Sequence, residues 1–434
     1  MAAEAPTIVF LPEGAFGPTN NCVGIGDVLR RRGARVVFIV EESFAGNLEA
    51  KGFEERLMRL GPAPEEPEIP GQFWKDLIRD TAPLFRRPTI EQLGSFLQPT
   101  WQALIDGSKY VNERLVEIFD ELQPDVIVED NVVAFPAIAA SGRPWVRIVS
   151  CNPLELRDPD LPPVFSGYPT ADRTGWHEFH AEHLRTHSDM WRDFDAFVQA
   201  NSAPSLPELE FMHESPYLNL YVYPAEADYE RRWPLKPTWH RLDCSVRTTD
   251  DAWHVPDALG ARDGKLVYLS LGSLAAADLE LMERLVAMLA DSPHRFVVSK
   301  GPQHELLELA DNMWGAEFLP QTSILPQVDL VITHGGNNTT TECLYFGKPM
   351  IVLPVFWDQY DNAQRVDELG FGRRLATYAC TADELRGAID DLLADAALHE
   401  RLARVSARVQ QEPGTVKAAD LIERLARERG PITG

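Results

Sequence analysis

The sequence predicts an α/β fold in which two domains with parallel sheets face each other across a cleft. The chain has 434 residues, and because domains usually hold roughly 100–200 residues, two domains are expected. In both halves, short apolar runs of strand length alternate with segments of helical apolar spacing, which is typical of a parallel sheet. Such sheets bind ligands beyond the carboxyl ends of their strands, so the cleft is the expected ligand site.

The first half opens with a strand, a helix and a second strand. Residues 7–12 are an apolar run, residues 20–32 have helical apolar spacing, and residues 36–40 are typical of a strand buried on both faces. Further strands are predicted at 126–129, 145–149 and 218–223, and long helices at 101–122 and 176–200. Residues 65–71 are rich in Pro and Glu and predict an exposed loop, and the Pro-rich residues 152–169 predict a connector.

The second half repeats the alternation. Strands are predicted at 266–271, 295–299, 330–333 and 350–354, and helices at 278–290, 339–346, 383–393, 399–410 and 415–429. The charged stretch 228–264 contains three prolines and is the predicted interdomain linker. We therefore expect an acceptor-binding domain at 1–240, a nucleotide-binding domain at 241–412, and a helix at 413–434 that crosses back to the first domain.

Charge and composition narrow the class of partner. The formal net charge is −25, so nucleic acid and anionic lipid are disfavoured partners. Five well-separated cysteines fit a reducing cytoplasm better than a disulfide framework. No run approaches the ~18 apolar residues of a membrane span, and no signal peptide is evident, so a cytoplasmic location is expected.

The most informative stretch is residues 318–366, where a strand runs directly into His334-Gly335-Gly336-Asn337-Asn338-Thr339 and a helix start. Glycines such as Gly336 let the backbone approach a ligand, and a helix N-terminus favours an anion. His334 and Thr339 can donate hydrogen bonds to phosphate oxygens, and Glu342, one turn along the same face, can accept two ribose hydroxyls. Asp358 and Gln359 follow a strand end, where they can bind sugar hydroxyls. An ordinary α/β turn with a His cap would explain a lone His-Gly-Gly, but not this combination.

Together with Pro320-Gln321, Gly347-Lys348-Pro349 and Trp357-Asp358-Gln359, this stretch resembles family-one glycosyltransferases: plant secondary-product enzymes, mammalian glucuronosyltransferases and bacterial antibiotic (macrolide) glycosyltransferases. The resemblance implies the GT-B fold, with two Rossmann-like domains and the nucleotide sugar held mainly by the second. It also implies an inverting reaction without metal or cofactor. The Asp-Gln pair favours UDP-glucose or UDP-glucuronate as donor.

The resemblance also assigns roles to single residues. Gln321 would meet the nucleobase through its backbone, Ser273 and Asn338 would join His334 and Thr339 on the diphosphate, and Glu342 would hold the ribose. The plant motif opens with a Trp that stacks on the base; here Phe318 lies near that position but out of register.

The acceptor side departs from the family pattern. The first loop of the family usually reads Gly-His-x-x-Pro, and its His deprotonates the acceptor with the help of an Asp near the fourth strand. Here the loop has Ala15 at the His position, while the Asp survives as Asp130. Three alternatives follow: Asp130 takes the proton directly or through water, another residue reaches in, or the acceptor is acidic or an amine. Glu13 is the nearest other carboxylate, although an exposed loop acid is the simpler interpretation of it.

Two further groups bear on the acceptor. His177, His180, His183 and His187 have the spacing of one helical face, for which solvated side chains are the simplest interpretation and a metal site or a replacement base are alternatives. Most aromatic residues of the first half are expected in the core, but Phe73, Trp74 and Phe165 lie in predicted loops and could line a pocket for a hydrophobic acceptor.

The leading hypothesis is therefore a UDP-hexose-dependent glycosyltransferase of secondary metabolism that acts on a small hydrophobic acceptor with a non-standard base. Ala15 motivates a second hypothesis, a catalytically silent homologue that acts as a binding or helper protein. A sugar-nucleotide epimerase of the same fold is a minor third.

Overall fold

The computed structural model describes residues 5–63 and 80–434 and confirms the α/β class with two parallel sheets. The predicted loop 65–71 and the aromatic residues Phe73 and Trp74 lie outside the described residues. No helix within the described ranges is long and apolar enough to cross a membrane.

The first sheet contains seven described strands, all paired in parallel, in the order β3-β2-β1-β4-β5-β6-β7. These strands are β1 Thr7–Pro12, β2 Arg35–Glu41, β3 Glu54–Met58, β4 Val126–Asp130, β5 Trp145–Val149, β6 Leu218–Val222 and β7 Trp239–Leu242. The α-helices described between them are α1 Phe16–Arg31, α2 Thr89–Gln92, α3 Gln98–Leu122, α4 Pro136–Ala140 and α5 Trp176–Ala200. The central strands are buried on both faces, as their apolar runs predict.

The second sheet contains six described strands in the order β10-β9-β8-β11-β12-β13, again all parallel. The strands are β8 Leu266–Ser270, β9 Arg295–Ser299, β10 Met313–Ala316, β11 Leu330–Thr333, β12 Met350–Val352 and β13 Gly372–Arg374. The helices are α6 Asp257–Gly260, α7 Gly272–Ala275, α8 Leu279–Leu289, α9 Gln321–Ile324, α10 Asn337–Tyr345, α11 Gln359–Glu368, α12 Ala382–Ala394, α13 Ala396–Val409 and α14 Gly414–Glu428.

Short helical turns complete the described structure. They are 3-10 turns at Glu42–Phe44, Glu49–Lys51, Ala82–Arg86, Pro153–Glu155 and Leu325–Gln327, and a π-turn at Leu93–Leu97. The π-turn joins α2 to α3, so the helical segment begins well before the predicted start at residue 101.

The prediction that residues 228–264 form only a linker is wrong, because β7 lies within this stretch and pairs with β6. In β7 only Leu242 is fully buried, so an edge strand of this kind leaves little apolar pattern in the sequence. The predicted boundary at residue 240 falls inside this strand. Sequence analysis also did not predict the edge strands β3, β10 and β13, because each contains few buried apolar residues.

The C-terminal helix α14 packs against α1, and Arg32 forms ion pairs with Asp420 and Glu423 at 2.7 and 3.0 Å. The backbone N–H of Ile432 also donates to the carbonyl oxygen of Tyr217 at 2.8 Å. The C-terminal helix of the second half therefore packs on the first domain, as the sequence predicts.

Candidate active site

The start of α10 forms the centre of the second-domain side of the cleft. It follows β11 through Gly335, whose φ of 88° is in the left-handed region that favours glycine. The ring of His334 is seated between two glycines: a Cβ added to Gly272 would lie 2.7 Å from His334 Cε1, and one added to Gly336 would lie 2.6 Å from Nε2. Both positions therefore need glycine to keep the ring in place.

Burial lowers the pKa of His334 to about 4, so the imidazole is neutral at physiological pH and can donate one N–H. Ser273 lies next to Gly272 at the end of β8, the strand that pairs with β11. His334, Ser273 and the N-terminus of α10 thus meet at one edge of the sheet, as the sequence predicts. This edge offers neutral donors and backbone amides, which suit a diphosphate.

Glu342 is buried one turn into α10 and binds two other side chains. Gln321 Nε2 donates to Glu342 Oε2 at 2.6 Å and to Thr339 Oγ1 at 3.1 Å. Arg247 Nη1 donates to Glu342 Oε1 at 3.2 Å and also pairs with Asp250. Burial raises the pKa of Glu342, an effect that Arg247 and Gln321 oppose. Sequence analysis missed Arg247, which lies in the predicted linker and has no recognisable motif around it.

Asp358 and Gln359 stand at the start of α11, and both side chains are already engaged. Asp358 Oδ2 accepts the backbone N–H of Asn152 from the first domain at 2.7 Å. Gln359 Oε1 accepts the N–H groups of Val355 and Phe356 at 3.0 and 3.2 Å. Burial raises the pKa of Asp358 to about 7. The predicted sugar-binding pair thus lies at the domain interface.

Asp130 is the last residue of β4 and is only 3% exposed. Its Oδ2 accepts from Asn21 Nδ2 at 3.0 Å and its Oδ1 accepts from Ser150 Oγ at 2.7 Å. Burial nevertheless raises the pKa of this carboxyl to about 7. Both oxygens of Asp130 therefore accept hydrogen bonds from neighbouring side chains.

Glu13 follows β1, beside Asp130, and the interpretation as an exposed loop acid is wrong. It is partly buried and lines a small cavity together with Asp130, Ser150 and Cys151. Burial and the nearby charges of Asp130, Glu41 and Glu155 raise the pKa of Glu13 to about 8. The carboxyl groups of Glu13 and Asp130 thus border the same cavity.

The four histidines of α5 do not share one environment. His177 and His180 are exposed, whereas His183 and His187 are buried with their ring centroids 4.4 Å apart. The solvated interpretation is wrong for these two because the ring of Trp101 packs near both imidazole rings, at centroid distances of 6.3 and 5.2 Å. None of the four is among the described residues that line the cavity of Glu13. Across residues 5–63 and 80–434, no three His, Cys, Asp or Glu side chains are placed to hold a metal ion.

The aromatic prediction for Phe165 fits the structure. Phe165 and Trp101 line a second cavity, which shares Arg147 and Glu155 with the first. Trp357, from the second domain, packs on both rings with centroid distances of 5.2 and 5.6 Å and has a φ of 59°, unusual for a residue other than glycine. Phe318 is half exposed. Sequence analysis also missed two charged residues that line both cavities, Arg147 and Glu155.

The two sides of the cleft touch directly. Asn338 Nδ2, at the start of α10, donates to the carbonyl oxygen of Gly17 in α1 at 2.9 Å. Asp361 accepts the backbone N–H groups of Phe165 and Gly167 at 2.6 and 2.8 Å. The predicted diphosphate and sugar residues of one domain therefore lie against the acceptor loops of the other.

Comparison with known proteins agrees with this arrangement. Residues 283–425 match the family model of the erythromycin biosynthesis protein CIII-like C-terminal domain. The chain is 28% identical to the oleandomycin glycosyltransferase of Streptomyces antibioticus over 438 aligned residues, which cover 94% of this chain and 88% of that protein.

Solved structures show the same fold. The glycotransferase of kitacinnamycin has a TM-score of 0.69 at 23% identity and covers 97% of this chain and 99% of its own. The glycosyltransferase VinC, solved in complex with DTDP, has a TM-score of 0.65 at 18% identity and covers 98% of this chain and 100% of its own.

Proposed function

We propose that this chain is a family-one glycosyltransferase of the GT-B fold that uses a nucleotide-sugar donor. It transfers a hexose from a UDP-glucose-type donor to a small acceptor, with inversion at the anomeric carbon. The start of α10 would hold the diphosphate and Glu342 the ribose. Asp358 and Gln359 would hold the hexose. No metal is needed in this proposal, because backbone amides and His334 supply the donors for the leaving diphosphate.

Glu13 is the proposed general base. It lines the same small cavity as Asp130, and its pKa of about 8 leaves about a tenth of it ionised at pH 7 and about half at pH 8. Glu13 takes the proton of the acceptor hydroxyl while the hydroxyl oxygen forms a bond to the anomeric carbon. The bond from that carbon to the β-phosphate oxygen breaks, and its electron pair leaves with UDP.

Asp130 has a positioning role in this proposal. Its two oxygens accept hydrogen bonds from Asn21 and Ser150, which fix the orientation of the carboxyl group beside Glu13. Its charge raises the pKa of Glu13, which makes Glu13 a stronger base once ionised. The deep aromatic cavity beside Glu13 would receive the hydrophobic body of the acceptor.

The observation that carries the proposal is the position of Asp358 relative to Glu13. Asp358 binds the backbone of Asn152, and the preceding residue, Cys151, lines the same cavity as Glu13. The residue proposed to hold the donor sugar and the residue proposed to deprotonate the acceptor thus converge on one place.

The test is transfer itself. The protein is incubated with UDP-glucose or TDP-glucose and a panel of phenols and aliphatic alcohols, and released nucleotide and glycoside are quantified. We expect UDP release with UDP-glucose, a β-glucoside by NMR, and loss of roughly 100-fold or more in His334→Ala. Turnover with TDP-glucose alone would overturn the nucleotide assignment, and an α-linked product would overturn inversion.

Ala15 favours one competing function, a silent homologue that binds a partner enzyme. In that case wild type would release no nucleotide with any donor and acceptor, while UDP would still bind. Activity gained only in Ala15→His would favour this alternative over the proposed transferase.

A further inference from the structure

The larger cavity combines an apolar wall with charged residues that do not pair with one another. Its lining includes the aromatic residues Trp101, Phe165 and Phe211 and the charged residues Arg147, Arg157, Glu155 and Glu210. It shares Val132, Arg147 and Glu155 with the smaller cavity of Glu13. A molecule in the larger cavity would therefore reach Glu13 past Arg147.

Arg147 is the most deeply buried of these charges. It lies in the centre of β5 and is 5% exposed, yet its Nε has no hydrogen-bond partner among the described residues. Its Cζ lies 5.7 Å from the ring of Trp239, and the side chain of Glu129 neighbours it across the sheet. No carboxylate within the described part of the chain comes within ion-pair distance of it.

The carboxyl groups near Arg147 can lose their charge, but the guanidinium cannot. Burial raises the pKa of Glu129 to about 8 and also raises that of Glu155. Arg157 belongs to the same group of charges, and its Nη2 is already bound to the carbonyl oxygen of Leu209 at 2.5 Å. A buried and permanently charged guanidinium thus borders this cavity, and it forms no ion pair within the described part of the chain although its charge acts on Glu129 and Glu155. The protein as a whole has a net charge of −25.

We propose that the acceptor carries a carboxylate and that Arg147 binds it, with the apolar body of the acceptor against Trp101 and Phe165 and its hydroxyl at Glu13. The planar guanidinium matches a carboxylate in two parallel hydrogen bonds. Glu155, whose Oε1 is buried without a partner, accepts a hydrogen bond from a donor on the same molecule. This inference rests on the proposed transferase function, whose acceptor it specifies.

The test compares matched acceptors in the wild-type protein with UDP-glucose at pH 7.5. The probes are 4-hydroxycinnamate, its neutral primary amide, and the cationic phenol tyramine. We expect kcat/KM for the acid to exceed that for the amide roughly tenfold or more, since a charge-assisted bond is lost in the amide. Equal rates, a preference for tyramine, or a glucose ester formed on the carboxylate itself would each overturn the inference.

Variants then assign the preference to Arg147. Arg147→Gln is expected to lower the ratio of kcat/KM for the acid to kcat/KM for the amide roughly tenfold or more, toward one, and Arg147→Lys is expected to keep part of the preference for the acid. Gln at position 147 leaves the buried Glu129 without its charged neighbour, so this variant is expected to be less stable. If it does not fold, the double variant Glu129→Gln/Arg147→Gln, which removes both charges, takes its place. A retained acid preference in a folded Gln variant would overturn the assignment.

Measurements of acceptor binding distinguish failure of this inference from failure of the proposed function. Calorimetric titration of the UDP-bound protein with 4-hydroxycinnamate and with its amide needs no turnover. If no sugar is transferred but the acid binds at least tenfold more tightly than the amide, the transferase proposal fails and the carboxylate site stands. If sugar is transferred but the two probes bind alike, the carboxylate site fails and the transferase proposal stands.

Discussion

The two sides of the cleft are built from opposite kinds of chemistry. On the second-domain side, the proposed diphosphate site consists of backbone amides, glycines and a His334 whose pKa is lowered to about 4, so it binds an anion with neutral groups. On the first-domain side, Glu13, Asp130, Arg147 and Glu155 line the cavities with ionisable groups. On the proposed assignment, donor binding would depend on backbone geometry, whereas acceptor chemistry would depend on the protonation state of side chains.

The largest effect is expected from a substitution that removes the proposed base on the acceptor side and leaves the donor side intact. Glu13→Gln removes the proposed base and is expected to lower kcat roughly 10²–10⁴-fold, while UDP binding measured by calorimetry stays unchanged. Glu42→Gln, an exposed carboxylate of the same domain that pairs with Arg59, is the matched control. If Glu13→Gln retains full turnover and Asp130→Asn loses it, Asp130 rather than Glu13 is the base.

The loss in Glu13→Gln should not come from unfolding. The folded protein holds the Glu13 proton up to a pH of about 8, whereas an unfolded glutamate releases it near its ordinary pKa. The stability contributed by the protonated form is therefore present at low pH and is lost as the pH rises through about 8. At pH 8 the melting temperature of Glu13→Gln is expected to equal or exceed that of wild type.

The pH dependence of kcat/KM tests the same difference between the two sides of the cleft. The base must be ionised to act, so kcat/KM is expected to fall roughly fiftyfold between pH 8 and pH 6, following the raised pKa of Glu13. The affinity for UDP should change far less over this range, because His334, which is proposed to bind the diphosphate, is already neutral. A kcat/KM profile that is flat from pH 6 to 8 would contradict a carboxyl base with a pKa of about 8.

The smallest expected effect concerns the donor side. Glu342→Gln removes the negative charge of the side chain proposed to bind the ribose hydroxyls. This variant is expected to raise KM for the donor roughly tenfold with little change in kcat. Steady-state kinetics at saturating acceptor measure it, with the exposed Glu283→Gln of the same domain as control. A fall in kcat without a change in KM would place Glu342 in the chemical step instead.

The donor side could be predicted from sequence because its residues are contiguous in the chain. His334, Gly336, Asn338 and Thr339 follow one strand and enter one helix, so local rules of strand, glycine and helix start place them together. Gly272 required the structure, because its role comes from contact with a His334 ring more than sixty residues away.

The acceptor side was harder to predict because its residues come from separate strands. Arg147 did leave a signal: it is a single charged residue within an otherwise apolar run that was predicted to be a buried strand. A charge in such a position is costly unless it has a partner, and that conflict alone marks a functional candidate. Glu13 left no such signal, since only the fold shows that the loop after β1 turns toward a cavity.

The hydrogen bond from Asn152 to Asp358 has a kinetic consequence. The oxygen proposed to hold the hexose accepts a backbone N–H from the opposite domain. A hexose that binds this oxygen would have to displace that N–H, so donor sugar and first domain would compete for one carboxylate. This hydrogen bond would then break and form again in each round of turnover.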